Sequence, residues 1–215
     1  MAEKIRLEII SDVVCPWCII GYKRLKTAIL EMGIEDKVEL QWQPFEINPD
    51  MPAAGEEIQA YGTRKYGSTA EEGARNRAMI TKLGEELEFK FDFFNGMKVV
   101  NTRDAHILLD YAKELGLQTK LNTQLFYSFF SDRQDISDRQ ILEQALQNVG
   151  LNVAEGLSRL DDNGARKRIL EQEMHWYNTG ISSVPTVIIN RSEVLTGAQP
   201  IAVYKQILTE QSKLS

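Results

Sequence analysis

The sequence predicts an α/β protein in which a long helical block interrupts a small sheet, in the order βαβ, helical block, ββα. Three observations predict it. Strand-like runs occur only near the two ends, at residues 4–11, 38–43 and 184–195. The long stretch between them carries apolar residues at three- and four-residue steps, the period of a helix packed on one face. The only two cysteines, Cys15 and Cys18, stand one helical turn apart where the first strand gives way to the first helix.

Lys4 to Ser11 alternates through Ile5, Leu7 and Ile9, with Ile10 also apolar, as in a strand that becomes buried on both faces. Pro16 to Met32 is helical, with Ile19, Tyr22, Leu25, Ile29 and Met32 on one stripe. Pro16 suits the first helical position, where its missing N–H costs nothing, and Gly33 is a stop signal. Val38 to Gln43 is the second strand, and the prolines at 44, 49 and 52 mark a loop. Helices are then expected over Glu56–Tyr66 and Thr69–Leu87, the second opened by a Thr69–Glu72 capping box. Phe89 to Val100 is irregular and aromatic. Further helices follow at Asp104–Leu115, around Leu121, Leu125 and Phe129, around Ile141, Ala145 and Val149 with Ser137 and Gln140 as a cap, and at Asn163–Tyr177 with Gly180 as its stop. Val184 to Asn190 is a β-branched strand, Arg191–Ser192 a turn, and Glu193–Leu195 the returning strand. Gly197 to Pro200 breaks the pattern before a last helix at Ile201–Leu208. Residues 1–52 and 181–215 are thus expected to form one domain and residues 53–180 a helical insertion.

Composition is that of a globular protein, 43% hydrophobic and 26% charged, with a net charge of -6. An acidic balance argues against nucleic acid as a partner, because phosphate binding needs a basic field. The apolar run near the start, Leu7 to Ile10, falls short of the roughly 7–15 residues of a secretory signal. No run approaches the roughly 18 apolar residues of a membrane span. A cytoplasmic protein with no membrane partner is the expectation. Structural disulfides are rare in that reducing compartment, so a cysteine pair there calls for another explanation.

Cys15-Pro16-Trp17-Cys18 admits three readings. A structural zinc site needs four ligands, and His106 and His175 lack metal-site spacing, so no metal is expected. Two inert core cysteines are the bland alternative. The third reading is redox chemistry. Cys15 falls at the N-cap, where helix N–H groups and the helix dipole favour negative charge on its sulfur. Cys18, one turn in, is placed to attack a mixed disulfide formed at Cys15. Cys15 is then the attacking sulfur and Cys18 the resolving one.

Taken together, strand–CPWC–helix, a helical insertion and Val184-Pro185-Thr186 before a strand resemble the DsbA-like branch of the thioredoxin fold. Within it, SDVVCPWC with Ile20-Gly21, Pro44 to Pro49, Asn101-Thr102 with Ala105-His106, and Gly197 to Pro200 resemble the FrnE-like oxidoreductases, relatives of 2-hydroxychromene-2-carboxylate isomerases and kappa-class glutathione transferases. The resemblance spans about residues 4 to 212. It implies a thioredoxin-like domain around the helical insertion, disulfide exchange at Cys15 and Cys18, and a cis Val184–Pro185 bond. It also implies substrate contacts from Pro16, Trp17, Val184 and Pro185. No cofactor is needed beyond the cysteine pair, with glutathione as a candidate co-substrate. The dipeptide Pro16-Trp17 holds no histidine, so a less oxidising pair is expected than in the most oxidising members of the branch.

Asp12, three residues before Cys15, is the candidate tuning group; its bland alternative is a carboxylate making local turn bonds. His106 and His175 read better as packed side chains than as proton donors or ligands, and Phe89 to Phe94 as insertion core more than substrate groove. The expected activity is reduction or isomerisation of disulfides in proteins or glutathione-type thiols. Its rivals are a glutathione-dependent isomerase or transferase on the same fold, in which Cys18 would be redundant, and a holdase or interaction module with no chemistry.

Overall fold

A computed structural model describes residues 4–212. By its internal contacts the chain forms two compact units, Met1–Ile47 with Leu170–Ser215, and Asn48–Ile169. The expected boundaries, 52/53 and 180/181, lie at loop signals. The units instead divide just before Asn48 and inside a helix, whose last turns join the first unit through Trp176, packed on Ile10 and Phe45, and Glu173, bonded to the Glu46 amide. A breaker-based reading cannot see a boundary inside a continuous helix.

The first unit holds a four-stranded sheet in the order β2-β1-β5-β6. Strand β1 (Ile5–Ser11) runs parallel to β2 (Val38–Pro44), with Ser11 opposite Pro44. It runs antiparallel to β5 (Thr186–Ile189), with Ile10 opposite Thr186. β5 pairs antiparallel with β6 (Glu193–Thr196) through a turn in which Asn190 and Arg191 both hold positive φ. Helix α1 (Pro16–Met32) begins at Cys15 and ends at Gly33, whose φ of 62° is the left-handed conformation that stops helices.

The second unit is helical. Helix α2 (Ile58–Tyr66) is capped by the Glu57 carboxylate, and α3 (Ala70–Glu86) opens with the Thr69–Glu72 capping box. A short antiparallel pair brackets these two helices, β3 (Glu56–Glu57) just before α2 and β4 (Lys98–Val99) just before α4 (Arg103–Glu114). Two-residue strands leave no period in a sequence. Helices α5 (Gln118–Phe130) and α6 (Arg139–Val149) follow. Asp138, not Ser137, caps α6, taking the N–H of Gln140 at 2.8 Å, while Ser137 is occupied with Asp135. Helix α7 (Val153–Leu160) had no counterpart in the sequence reading. It is eight residues long and carries Gly156 at its centre, where a Cβ would lie 2.6 Å from Leu146 Cδ1. A close helix contact explains the glycine that hid the helix. Helix α8 (Asn163–Asn178) leads into the first unit, where α9 (Ile201–Ser212) packs on α1 and β1. The aromatic run divides: Phe89 and Phe91 are buried and meet Phe130 edge-on, while Phe93 and Phe94 are half-buried.

Candidate active site

Parity along β1 sets up the site. Ile10 points to one face and joins Phe45 and Trp176 in a cluster that also takes in Val184 and Ile181. Leu7, Ile9 and Ser11 share the opposite parity and are all buried. The strand then turns at Asp12-Val13-Val14. The Cys15 N–H closes the turn on the Asp12 carbonyl at 3.0 Å, and the Cys18 N–H bonds the Cys15 carbonyl at 3.1 Å. Backbone geometry therefore places both sulfurs at one end of the sheet.

Cys15 and Cys18 are not joined in a disulfide, and they are 5% and 0% exposed. The Cys15 thiol donates to the Val184 carbonyl, with Sγ 3.8 Å from the oxygen. The N-cap position expected from sequence is occupied, but the sulfur makes no capping hydrogen bond to the helix amides. Pro16 has no N–H to offer, and a thiol turned towards a carbonyl is committed elsewhere. Burial pushes the Cys18 thiol well above its ordinary value, and the neighbouring Cys15 sulfur pushes it the same way. The Ser11 side chain and the Asp12 backbone act against that rise.

The turn facing Cys15 is held from several sides. The Val184–Pro185 bond is cis. The Pro185 carbonyl accepts from the Gly197 N–H at 2.7 Å, and the Thr186 hydroxyl donates to the Ser183 carbonyl at 2.8 Å. A Cβ on Gly21 would lie 3.2 Å from Pro185 Cγ and 3.4 Å from the Ala198 Cα, so glycine there lets α1 approach both loops. Arg24 on the same helix donates to the Ala198 carbonyl at 2.9 Å. Beneath that loop Tyr204 is wholly buried; burial raises its hydroxyl to about 12, against smaller lowering effects of the Gln199 backbone and Arg24.

Asp12 is buried, and its Oδ2 takes the Ile47 N–H at 2.8 Å. One residue earlier, the Glu46 N–H donates to Glu173 Oε1 at 2.6 Å. Two consecutive amides are thus anchored by two buried carboxylates, one from the cysteine turn and one from α8. Burial, with the charges of Glu173 and Glu46, raises the Tyr177 hydroxyl.

Of the residues singled out in sequence, the structure brings Asp12, Cys15, Cys18, Val184 and Pro185 together. Pro16 and Trp17 sit half-exposed in the first turn of α1. His106 is buried in α4 of the second unit, and His175 makes an edge contact with Trp176. Ser11 enters the sequence argument only as the end of the first strand and the first residue of the SDVVCPWC run, and Arg24, Glu173 and Tyr204 belong to no motif. Ser11 and Tyr204 carry no chemical signal until the strand parity and helix packing that bury them are known. Among the described residues no group of three or more His, Cys, Asp or Glu is arranged to hold a metal ion, and no helix is long and apolar enough to cross a membrane.

The family model for the DSBA-like thioredoxin domain matches residues 6–209. The chain belongs to that family. Among relatives of this DSBA-like protein, YwbO of Bacillus subtilis (strain 168), itself uncharacterized, is 28% identical over 211 residues, 97% of this chain and 98% of that one. A probable DsbA oxidoreductase from Streptomyces coelicolor is 27% identical, with a TM-score of 0.89 over 96% of this chain and 89% of its own. The cytosolic disulfide reductase DsbM from Pseudomonas aeruginosa, in a structure with GSH, shares the fold at 17% identity, with a TM-score of 0.68 over 97% and 99% of the two chains.

Proposed function

We propose that this DSBA-like protein is a thiol–disulfide oxidoreductase that cycles Cys15 and Cys18 between dithiol and disulfide, reducing or isomerising disulfides of proteins or glutathione-type thiols. The observation that carries the reading is the asymmetry of the pair. The outer sulfur lies against the Val184 carbonyl beside Pro185, and the inner one is sealed one helical turn behind it. Cys15 attacks a substrate disulfide, and Cys18 displaces the product from the resulting mixed disulfide. The Val184 backbone offers an extended substrate a strand-like contact, giving broad sequence preference. Pro16 and Trp17 flank the entering chain. Asp12 acts as a positioning residue, fixing the Ile47 amide beside the turn. The direction of exchange belongs to a reducing compartment, so the reading includes a cytoplasmic location and glutathione as co-substrate.

The experiment is insulin reduction with a glutathione redox titration, in the wild type and in Cys15→Ser and Cys18→Ser. Cys15→Ser is expected to lose turnover by at least a hundredfold, on the order of the loss of a reacting nucleophile. Cys18→Ser is expected to accumulate mixed disulfides. A wild type that does not cycle ends the proposal, and mixed disulfides accumulating on Cys15→Ser instead reverse the two roles.

A further inference from the structure

We propose that Ser11 is a catalytic residue of the resolving step: its hydroxyl, together with the backbone N–H of Asp12, donates to the Cys18 sulfur while that sulfur is an anion. The proposal rests on the reading of Cys15 and Cys18 as a cycling pair and adds the group that makes the inner sulfur usable.

Resolution is the hard half of the exchange here. Cys18 has no exposed surface, and an anion confined there lacks the water that would stabilise it. Ionised sulfur at that position needs donors already in place, because donors fixed beforehand cost no reorganisation when charge develops. The fold supplies two. Ser11 ends β1 on the face of Leu7 and Ile9, opposite to that of Ile10 with its Phe45 and Trp176 neighbours. Asp12 follows at the start of the turn that returns the chain to Cys15 and Cys18. These are also the two groups that make ionisation of Cys18 easier, the Ser11 side chain more than the Asp12 backbone.

Geometry and burial give a second sign. Ser11 is 3% exposed, and its Oγ has no hydrogen-bond partner among the described residues. Buried hydroxyls are normally paired, and an unpaired one destabilises the fold. An alanine would fill the place without that cost. The serine makes sense if its acceptor exists only during turnover, and a neutral thiol is a poor acceptor that becomes a good one on losing its proton.

The step balances without any further reactant. In the mixed disulfide, Cys15 Sγ is bonded to the partner's sulfur. Cys18 gives up its S–H proton, and its sulfur forms a bond to Cys15 Sγ. The bond from Cys15 to the partner breaks, its electron pair stays on the departing sulfur, and that sulfur takes up the proton Cys18 released. The cysteine pair is oxidised by two electrons and the substrate disulfide is reduced by them. Ser11 keeps its own proton throughout.

Stopped-flow reaction of the reduced full-length protein with a limiting amount of the disulfide of thionitrobenzoate reads the two halves separately. The first release of coloured thiol reports attack by Cys15, and the second reports displacement by Cys18. Ser11→Ala is expected to lower the ratio of second to first rate about tenfold, the effect of losing one hydrogen bond to a charged group. Ser11→Thr is expected to restore the ratio. Ser11→Val against Ser11→Thr repeats the comparison at a single side-chain shape, with circular dichroism verifying the fold of each. A ratio in Ser11→Ala and Ser11→Val equal to that of the wild type overturns the assignment of Ser11 alone. A wild type without a second phase overturns both that assignment and the cycling pair beneath it.

Discussion

The two units place their carboxylates differently. In the first, polar side chains are buried around the cysteine turn: Ser11, Asp12, Glu46, Glu173 and Thr186 are all sealed, and Asp12 and Glu173 spend their carboxylates on the neighbouring amides of Ile47 and Glu46. In the second, the charged groups mostly stand at the surface as ion pairs, Arg139 with Asp161, Arg159 with Glu114 and Glu155, Arg133 with Asp92. Exposed pairs add little to stability, whereas a buried carboxylate bonded to an amide is costly to disturb. Among the described residues the second unit buries no carboxylate: its sealed polar side chains are Thr102, His106, Gln118, Asn122 and Ser128, set in an apolar core. The first uses buried carboxylates to hold the loop at residues 46 and 47 through its amides.

The largest expected effect is therefore a packing lesion in the second unit. A Cβ on Gly84 would lie 2.4 Å from Phe91 Cδ2 and 2.5 Å from the Phe89 carbonyl oxygen, and the latter is backbone that cannot swing away. Gly84→Ala is expected to destabilise the protein by about 3 kcal/mol, the upper range of overpacking. Urea unfolding measures it. An unchanged midpoint would show that the Phe89–Phe91 turn is looser than its contacts imply.

Next is a polar lesion in the first unit. Glu173→Ala removes the acceptor of the buried Glu46 amide and is expected to cost about 1–3 kcal/mol. Glu173→Gln keeps an acceptor oxygen and is expected to recover most of that loss. If Gln proves as damaging as Ala, the charge of Glu173 matters and not its hydrogen bond. The same substitutions, followed by alkylation of Cys15, test whether the loop anchored at residues 46 and 47 reaches the chemistry. A rate that follows the stability of the loop across the series supports that link.

Legibility in the sequence follows the same division. The sheet, α1, its Gly33 stop and the cysteine turn were readable because each has a local cause: alternation in β1, Pro16 at a helix start, a glycine in left-handed geometry. Asp12, Cys15, Val184 and Pro185 lie around one turn with Cys18 behind it, and the sulfur of Cys15 faces the Val184 carbonyl and not the helix amides. Glu173 was unreadable, because its partner lies 127 residues away and a glutamate on a helix usually faces water. In the second unit α7 was lost because Gly156, required by its approach to Leu146, imitates a loop signal.

The smallest effect lies at the surface of the second unit. Asp92 accepts from Arg133 at 2.8 Å and from Lys90 at 2.9 Å, and these bonds, that of Arg133 foremost, hold its carboxyl at about 2, below its ordinary 3.8. The folded state thus favours the ionised form. Its contribution to stability is full above the ordinary value and disappears as pH falls from about 4 towards 2. Asp92→Asn is expected to melt slightly below the wild type at neutral pH, with the gap closing over that acid window and narrowing in high salt, since exposed charges are screened. Carboxyl titration by NMR locates the transition directly. A gap independent of pH and salt would mean that Asp92 holds Arg133 over the Phe94 ring, 5.1 Å from its centre, by shape more than by charge. The surface ion pair would then belong to the packing of its unit, and the contrast between the two units would narrow to the buried carboxylates alone.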